Sequence, residues 1–212
     1  MVSKTEKRKP GRPSNPVGRP KLIEIARGVF ASAGYAGASL SRIADAAGIR
    51  KASLYHHFDT KEALYLAVMD NVISDLQSVF IEAVSAKGSF EDRLDEAAEA
   101  AISYLGRQPD AAKIVLREMV DGGPFVQAHG AQAINLTLAV AAQFFQSGME
   151  AGVFRQQDPL QLTLAIAGMC LFGFAGERVS QRLLQSGHDD TLSTAARVTF
   201  LKNQVQQMAR GA

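Results

Sequence analysis

The stretch of residues 39–61, SLSRIADAAGIRKASLYHHFDTK, limits what this chain can fold into more than any other part of it. Ser39 is a helix N-cap residue type, its hydroxyl suited to accept from the free amides of a first turn. Leu40, Ile43, Ala44 and Ala47 then recur at helical spacing and define one buried face. Gly48 falls where that helix must stop, because glycine enters the left-handed region without steric cost. Beyond it, Ile49, Leu54 and Phe58 form a second apolar stripe, so two short helices can share one small core. Arg42, Arg50, Lys51, Ser53, Tyr55, His56 and Lys61 are left on the outer faces as a donor-rich set. Two crossed helices around a glycine, one presenting donors outward, predict a helix-turn-helix over residues 39–58.

Charge is distributed unevenly along the chain. Residues 1–65 hold twelve Lys and Arg against five Asp and Glu, while the remainder holds eleven against sixteen, so +7 is joined to −5. A basic first third on an acidic body is the pattern expected when one end alone meets a polyanion. Residues 1–20 are basic and proline-punctuated, and Pro10, Pro13, Pro16 and Pro20 forbid a regular helix. This segment reads as an extended arm carrying Arg12 and Arg19; a tail that only adds solubility is the alternative.

A first helix is predicted over residues 21–33, with Leu22, Ala26, Val29, Phe30 and Ala33 on one stripe and Gly34 as its stop. Asp59 or Thr60 is expected to cap a long helix over 61–86, Glu62 completing a capping box with Asp59. Further helices are expected over 90–107, 110–120, 125–151, 158–185 and 191–209, parted by glycine and proline breakers. No segment alternates at period two, so the fold class is all-α with about nine helices. Residues 160–176 are uncharged, but shorter than the roughly twenty apolar residues a membrane span needs. They read as a buried helix, and no membrane partner is expected. Such a helix must be covered on every side, either by the chain's own core or by a second copy. A single cysteine, Cys170, excludes an internal disulfide framework and suits the cytoplasm. The basic start lacks the apolar stretch of a signal peptide.

The run LSRIADAAGIRKASLYHHFDTKEAL, residues 40–64, closely resembles the DNA-binding signature of the TetR family of bacterial transcription regulators. I-A-x-x-A-G, L-Y-x-H-F and K-E-x-L all fall in register. With the flanking helices the resemblance covers about residues 21–69, a third of the chain; the rest is similar in helicity and length. It implies a basic arm over 1–20, a DNA-binding domain over 21–68, and a helical effector-binding and dimerisation domain over 69–212. The implied protein is a homodimeric regulator, a repressor released by a small, largely apolar effector. Its partners are then a near-palindromic double-stranded operator and a second copy met through the last two helices. By resemblance, Lys51, Ser53 and His56 face base edges, and Ser39, Arg42, Tyr55 and Lys61 hold phosphates. His57 and Phe58 are assigned to packing. Arg50 departs from the Ser or Thr that commonly caps the recognition helix, and is expected to contact a phosphate or a guanine instead. Gly-Arg-Pro at 11–13 and 18–20 resembles the core of an AT-hook, although Pro10 and Val17 stand where that motif has arginine. Arg12 and Arg19 are therefore minor-groove candidates, and an architectural A·T-rich DNA-binding protein acting through the arm is the alternative function.

The resemblance also implies a small-molecule pocket in the body. Tyr104, Arg117, Met119, Phe125, His129, Phe144, Phe145, Met149 and Met169 are its candidate lining, with Asn135 as a further polar anchor. Aromatic and methionine residues at helical spacing are also what ordinary core packing requires. No catalytic constellation stands out. His56 and His57 point apart, His129 and His188 are isolated, and zinc spacings, phosphate-binding glycine loops and a nucleophile elbow are missing. Neither an enzyme, a metal nor a cofactor is expected.

Overall fold

The computed structural model describes residues 17–176 and 193–210. Among them are nine α-helices, one π-helical turn and no strand. In chain order these are α1 (Arg19–Gly37), α2 (Leu40–Ala46), α3 (Lys51–Tyr55), α4 (Lys61–Ser85), α5 (Phe90–Arg107) and α6 (Pro109–Asp121). The π-helical turn (Val126–Gly130), α7 (Ala131–Glu150), α8 (Pro159–Ala175) and α9 (Thr194–Arg210) follow. Arg12 and the rest of the arm to residue 16, together with the expected polar continuation after α8, lie outside the described residues.

Local chemistry accounts for the boundaries, including those that differ from expectation. α1 starts at Arg19 rather than 21, with Pro20 in its first turn, where a missing amide costs no helical bond. Gly34 leaves the helix at φ 71 and ψ 171, and its carbonyl accepts from the Ala38 amide at 3.2 Å. Thr60, not Asp59, caps α4, its hydroxyl accepting from the Ala63 amide at 3.0 Å; the expected Asp59–Glu62 box does not form. A capping box stands instead at α5, where Ser89 accepts from the Asp92 amide and the Asp92 carboxylate accepts from the Ser89 amide. The helix expected from residue 125 opens as a π-helical turn. Its first amide, Val126, donates to the buried Glu118 carboxylate at 2.8 Å, which pins the chain beneath α6 before α7 begins.

α1, α2 and α3 form a small unit with the start of α4; α4 lies along α5, α6 packs on α1 and α8, α7 on α8, and α9 on α5 and α8. One contiguous apolar core runs through all of this, from Leu22, Phe30 and Leu54 through Val68 and Met69 to Ile102, Ile114, Phe174 and Leu201. Fully burying each such side chain contributes about 1.5–3 kcal/mol. By length and composition α4 would suffice to cross a bilayer. Its Leu64, Tyr65, Val68, Met69, Val72 and Ile73 are instead buried against neighbouring helices.

Among the described residues, the apolar α8 is not covered on every side. Leu162, Cys170, Leu171 and Phe174 are buried, whereas Leu160, Leu164 and Phe172 form an exposed stripe, Phe172 at 69%. Gly168 lies on that stripe, and a Cβ added there would meet open space. Burial pushes the Cys170 thiol up to about 12, which keeps it protonated and unreactive.

Candidate nucleic-acid interface

The helix-turn-helix is held by local bonds. The Ser39 hydroxyl accepts from the Arg42 amide at 3.2 Å and caps α2. At the other end of α2, Gly48 sits at φ 64, its amide donating to Asp45 O at 3.1 Å, while Ile49 donates to Ala44 O at 3.0 Å. This pair of bonds is the Schellman closure that a glycine after a helix permits. Ile43, Ala44, Leu54 and Phe58 are buried beneath the turn. α3 therefore lies on the surface, anchored through Leu54 alone of its five residues.

Its outer face carries Lys51, Ala52, Ser53 and Tyr55, continued by His56, all exposed. Lys51 Nζ lies 5.8 Å from the centre of the Tyr55 ring one turn away. Arg50 stands at the N-cap position without a side-chain capping bond, so its guanidinium is committed to no internal role there. Arg42 is exposed on the neighbouring helix. His57, expected to pack, is exposed instead, because the chain turns after Tyr55 and only Phe58 points inward.

Two expected DNA contacts have structural work. Lys61 Nζ donates to Tyr35 O at 2.9 Å and Ala38 O at 3.3 Å, and lies 4.2 Å from the Tyr35 ring centre. It fastens the α1–α2 link to α4 through these contacts. Arg19 belongs to α1 rather than to the arm, with its guanidinium 4.7 Å from the Phe58 ring centre, beside the end of α3.

A buried polar junction joins this unit to the body. The Tyr65 hydroxyl on α4 donates to Glu118 Oε2 on α6 at 2.6 Å, while Glu118 Oε1 accepts from Val126. Glu118 is only 2% exposed. Burial, and then the hydrogen bond to Glu118, push the Tyr65 phenol well above its ordinary range. Tyr65 in turn packs on Tyr35 and edge-on to Phe30, with centroids 4.9 Å away in both cases. Sequence reading missed this junction. The readable signal was register: Glu118 shares the stripe of Ala111 and Val115, where an apolar residue belongs.

The ligand candidates are spread through the body. Phe144 and Phe145 pack with Phe90 and Phe154 in an aromatic cluster, with centroids 5.7–5.9 Å apart, and Met149 is fully buried. Tyr104 donates to Asp75 Oδ2 at 3.2 Å; burial and then the Asp75 charge push its phenol up to about 12. Phe125 is buried and Met169 half-buried. Met119 is 48% exposed at the end of α6. Arg117 borders a cleft between α1, α6 and α8, and Asn135 a second one between α7 and α8. His129 belongs to the π-helical turn, and its side chain lies outside what is described. No group of three or more potential metal ligands occurs among the described residues.

A capped helix, a left-handed glycine turn and a short exposed helix on a bundle define a helix-turn-helix protein with an all-helical body. Residues 22–68 match the family model of bacterial regulatory proteins of the tetR family, and residues 91–205 match a tetracyclin repressor-like C-terminal domain. The second match alone covers more than half of the chain, which belongs to the TetR family of bacterial regulatory proteins. Among curated relatives, the transcriptional activator FasR of Mycolicibacterium smegmatis is 33% identical over 97 residues, 46% of this chain and 44% of that protein. The transcriptional repressor KstR2 of Rhodococcus jostii is 40% identical over 68 residues, 32% of this chain and 33% of its own. The matches thus span less than half of either relative. Of solved structures, PfmR of Thermus thermophilus has TM-score 0.71 at 20% identity, over 90% of this chain and 98% of that one. AibR, solved with isovaleryl coenzyme A and operator DNA, has TM-score 0.69 at 20% identity, over 88% and 97%. At those identities the likeness is one of fold.

Proposed function

We propose that this chain is a sequence-specific DNA-binding transcriptional regulator that works as a homodimer. α3 of each protomer would enter the major groove of one half of a near-palindromic operator. The observation that carries the reading is the outer face of α3, where Lys51, Ser53, Tyr55 and His56 are exposed on a rigid, capped support. Lys51, Ser53 and His56 are assigned to base edges, Tyr55 and Arg42 to phosphates, and Arg50 to a guanine or a phosphate. Ser39 acts as the cap that aims α2, with its exposed hydroxyl at the backbone.

Dimerisation is assigned to the exposed stripe Leu160–Leu164–Gly168–Phe172 of α8, together with Phe200 on α9, 59% exposed. An apolar stripe with glycine at its centre suits close antiparallel packing against a twofold mate. The regulator is read as a repressor released by a small, largely apolar effector. KstR2 is named as a repressor, and AibR was solved with an acyl coenzyme A. A cytoplasmic place of action accords with the single buried thiol.

Selection from a randomised duplex library, with the full chain and with residues 1–16 removed, tests the reading. Enrichment of a twofold-symmetric motif by both proteins is expected. Enrichment only by the full chain, and only of A·T-rich tracts without symmetry, would transfer the function to the arm. No enrichment at low salt would remove the DNA-binding assignment.

A further inference from the structure

A cleft of about 380 Å³ opens where α1 of the reading unit meets α6 and α8 of the body. Three small residues of α1 line it. Gly28, Ala31 and Ser32 recur at i, i+3 and i+4 and leave a recess where larger residues would fill the contact with α6. Across the recess, α6 presents Lys113 and Arg117 one turn apart on the same face. Phe172 and Ala175 of α8 supply an apolar wall.

Among the described residues the charges of the lining, Asp110 against Lys113 and Arg117, do not balance. Lys113 Nζ is engaged by Asp110 Oδ1 at 3.1 Å, with the lysine side chain only 18% exposed. Arg117 has no hydrogen-bond or ion-pair partner among the described residues. Arg117 belongs to the cleft lining, and its guanidinium lies close to Gly34, where an added Cβ would be 3.0 Å from Nη1. Among the described residues, Arg117 thus brings a positive charge with five donors in a planar fork, without a partner, to the lining of a recess with an apolar wall. Guanidinium geometry matches a carboxylate through two parallel bonds. The volume lies at the lower end of the range for small-ligand sites.

The geometry points to a binding site in this cleft for a small organic monocarboxylate, its carboxylate on Arg117 and its apolar body in the α1 recess against Ala31 and Ala175. The site is separate from the aromatic cluster of the body, where Phe144, Phe145 and Phe154 fill the space themselves. Because the walls come from both units, occupancy favours one arrangement of the reading head on the body. That consequence rests on the regulator reading; binding itself does not.

Saturation-transfer NMR and calorimetry on the full-length protein test it, using hexanoate, octanoate, benzoate and phenylacetate, each beside its primary amide. At least one acid is expected to bind, and its amide to bind at least tenfold more weakly. Arg117→Gln, at an exposed side chain that leaves the fold intact, is expected to lower affinity at least tenfold. Ser32→Phe, which fills the recess from an exposed position, is expected to abolish binding, and Gln146→Ala in the α7–α8 groove to leave it unchanged. Failure of all four acids to bind, equal binding of acid and amide, or affinity indifferent to Arg117→Gln overturns the site. Operator DNA takes no part in these readouts, so their failure is distinct from failure of the regulator assignment.

Discussion

Lys61 shows how one side chain can carry a structural role that its position in the sequence does not announce. Its place one residue after the Thr60 cap was legible, but its reach back to two carbonyls of the α1–α2 link was not, because that contact spans 23 and 26 residues. Lys61→Met keeps the stem and removes the donors. It is expected to destabilise the reading unit by about 1.5–3 kcal/mol, the range for hydrogen bonds to charged groups, read as a lower denaturation midpoint. Lys51, by contrast, makes no internal hydrogen bond or ion pair among the described residues. Lys51→Ala is expected to weaken operator binding at least tenfold with an unchanged melting temperature; an unchanged affinity would remove α3 from the groove. The tyrosines give a third residue-level test. The phenol of Tyr104 is raised to about 12, so the fold favours its neutral form. That stability is complete below the ordinary tyrosine pKa of about 10 and is lost as pH rises from there through 12. Tyr65 is raised in the same direction, and phenolate absorbance of both is expected to appear only as the fold opens.

At the scale of the element, helix existence was readable from periodicity, while the joints depended on tertiary partners. Ser39, Gly48 and the Asp158–Pro159 pair act where their residue types indicate, because caps and left-handed turns are local chemistry. The π-helical turn was not readable, since its cause is a carboxylate on α6 eight residues earlier that captures the Val126 amide. Nor was the outward turn of His57, which depends on where α3 ends. α3 has five residues and cannot persist alone, so its form depends on the turn before it and on Leu54 beneath. Gly48→Ala is expected to cost about 1 kcal/mol through its positive φ, seen as a lower melting temperature, with Gly48→Asn closer to wild type. Gly148 tests packing rather than backbone freedom. A Cβ there would lie 2.2 Å from the Phe154 ring, so Gly148→Ala is expected to cost about 1–3 kcal/mol as the aromatic cluster is displaced.

For the whole molecule, the α8 interface proposed above is expected to tie stability to assembly. Leu164→Arg places a charge at its centre, and analytical ultracentrifugation is expected to show monomers, with circular dichroism unchanged. A dimer that survives the substitution would move the interface elsewhere. The candidate effector residues were the least legible part of the body, because the same apolar stripe builds either a packed core or a cavity wall; Phe144, Phe145 and Met149 are buried, as either role allows.

α4 has a geometric consequence of its own. Its 25 residues rise about 1.5 Å each, so it is a rod of about 37 Å with the reading unit at one end and the α5 contact along its length. A tilt of about 5° around the Ser85 end carries Lys61 sideways by about 3 Å, close to the 3.4 Å per-strand step between successive phosphates. In the proposed regulator, a tilt of that size would carry each head by about one base-pair step through lever length alone.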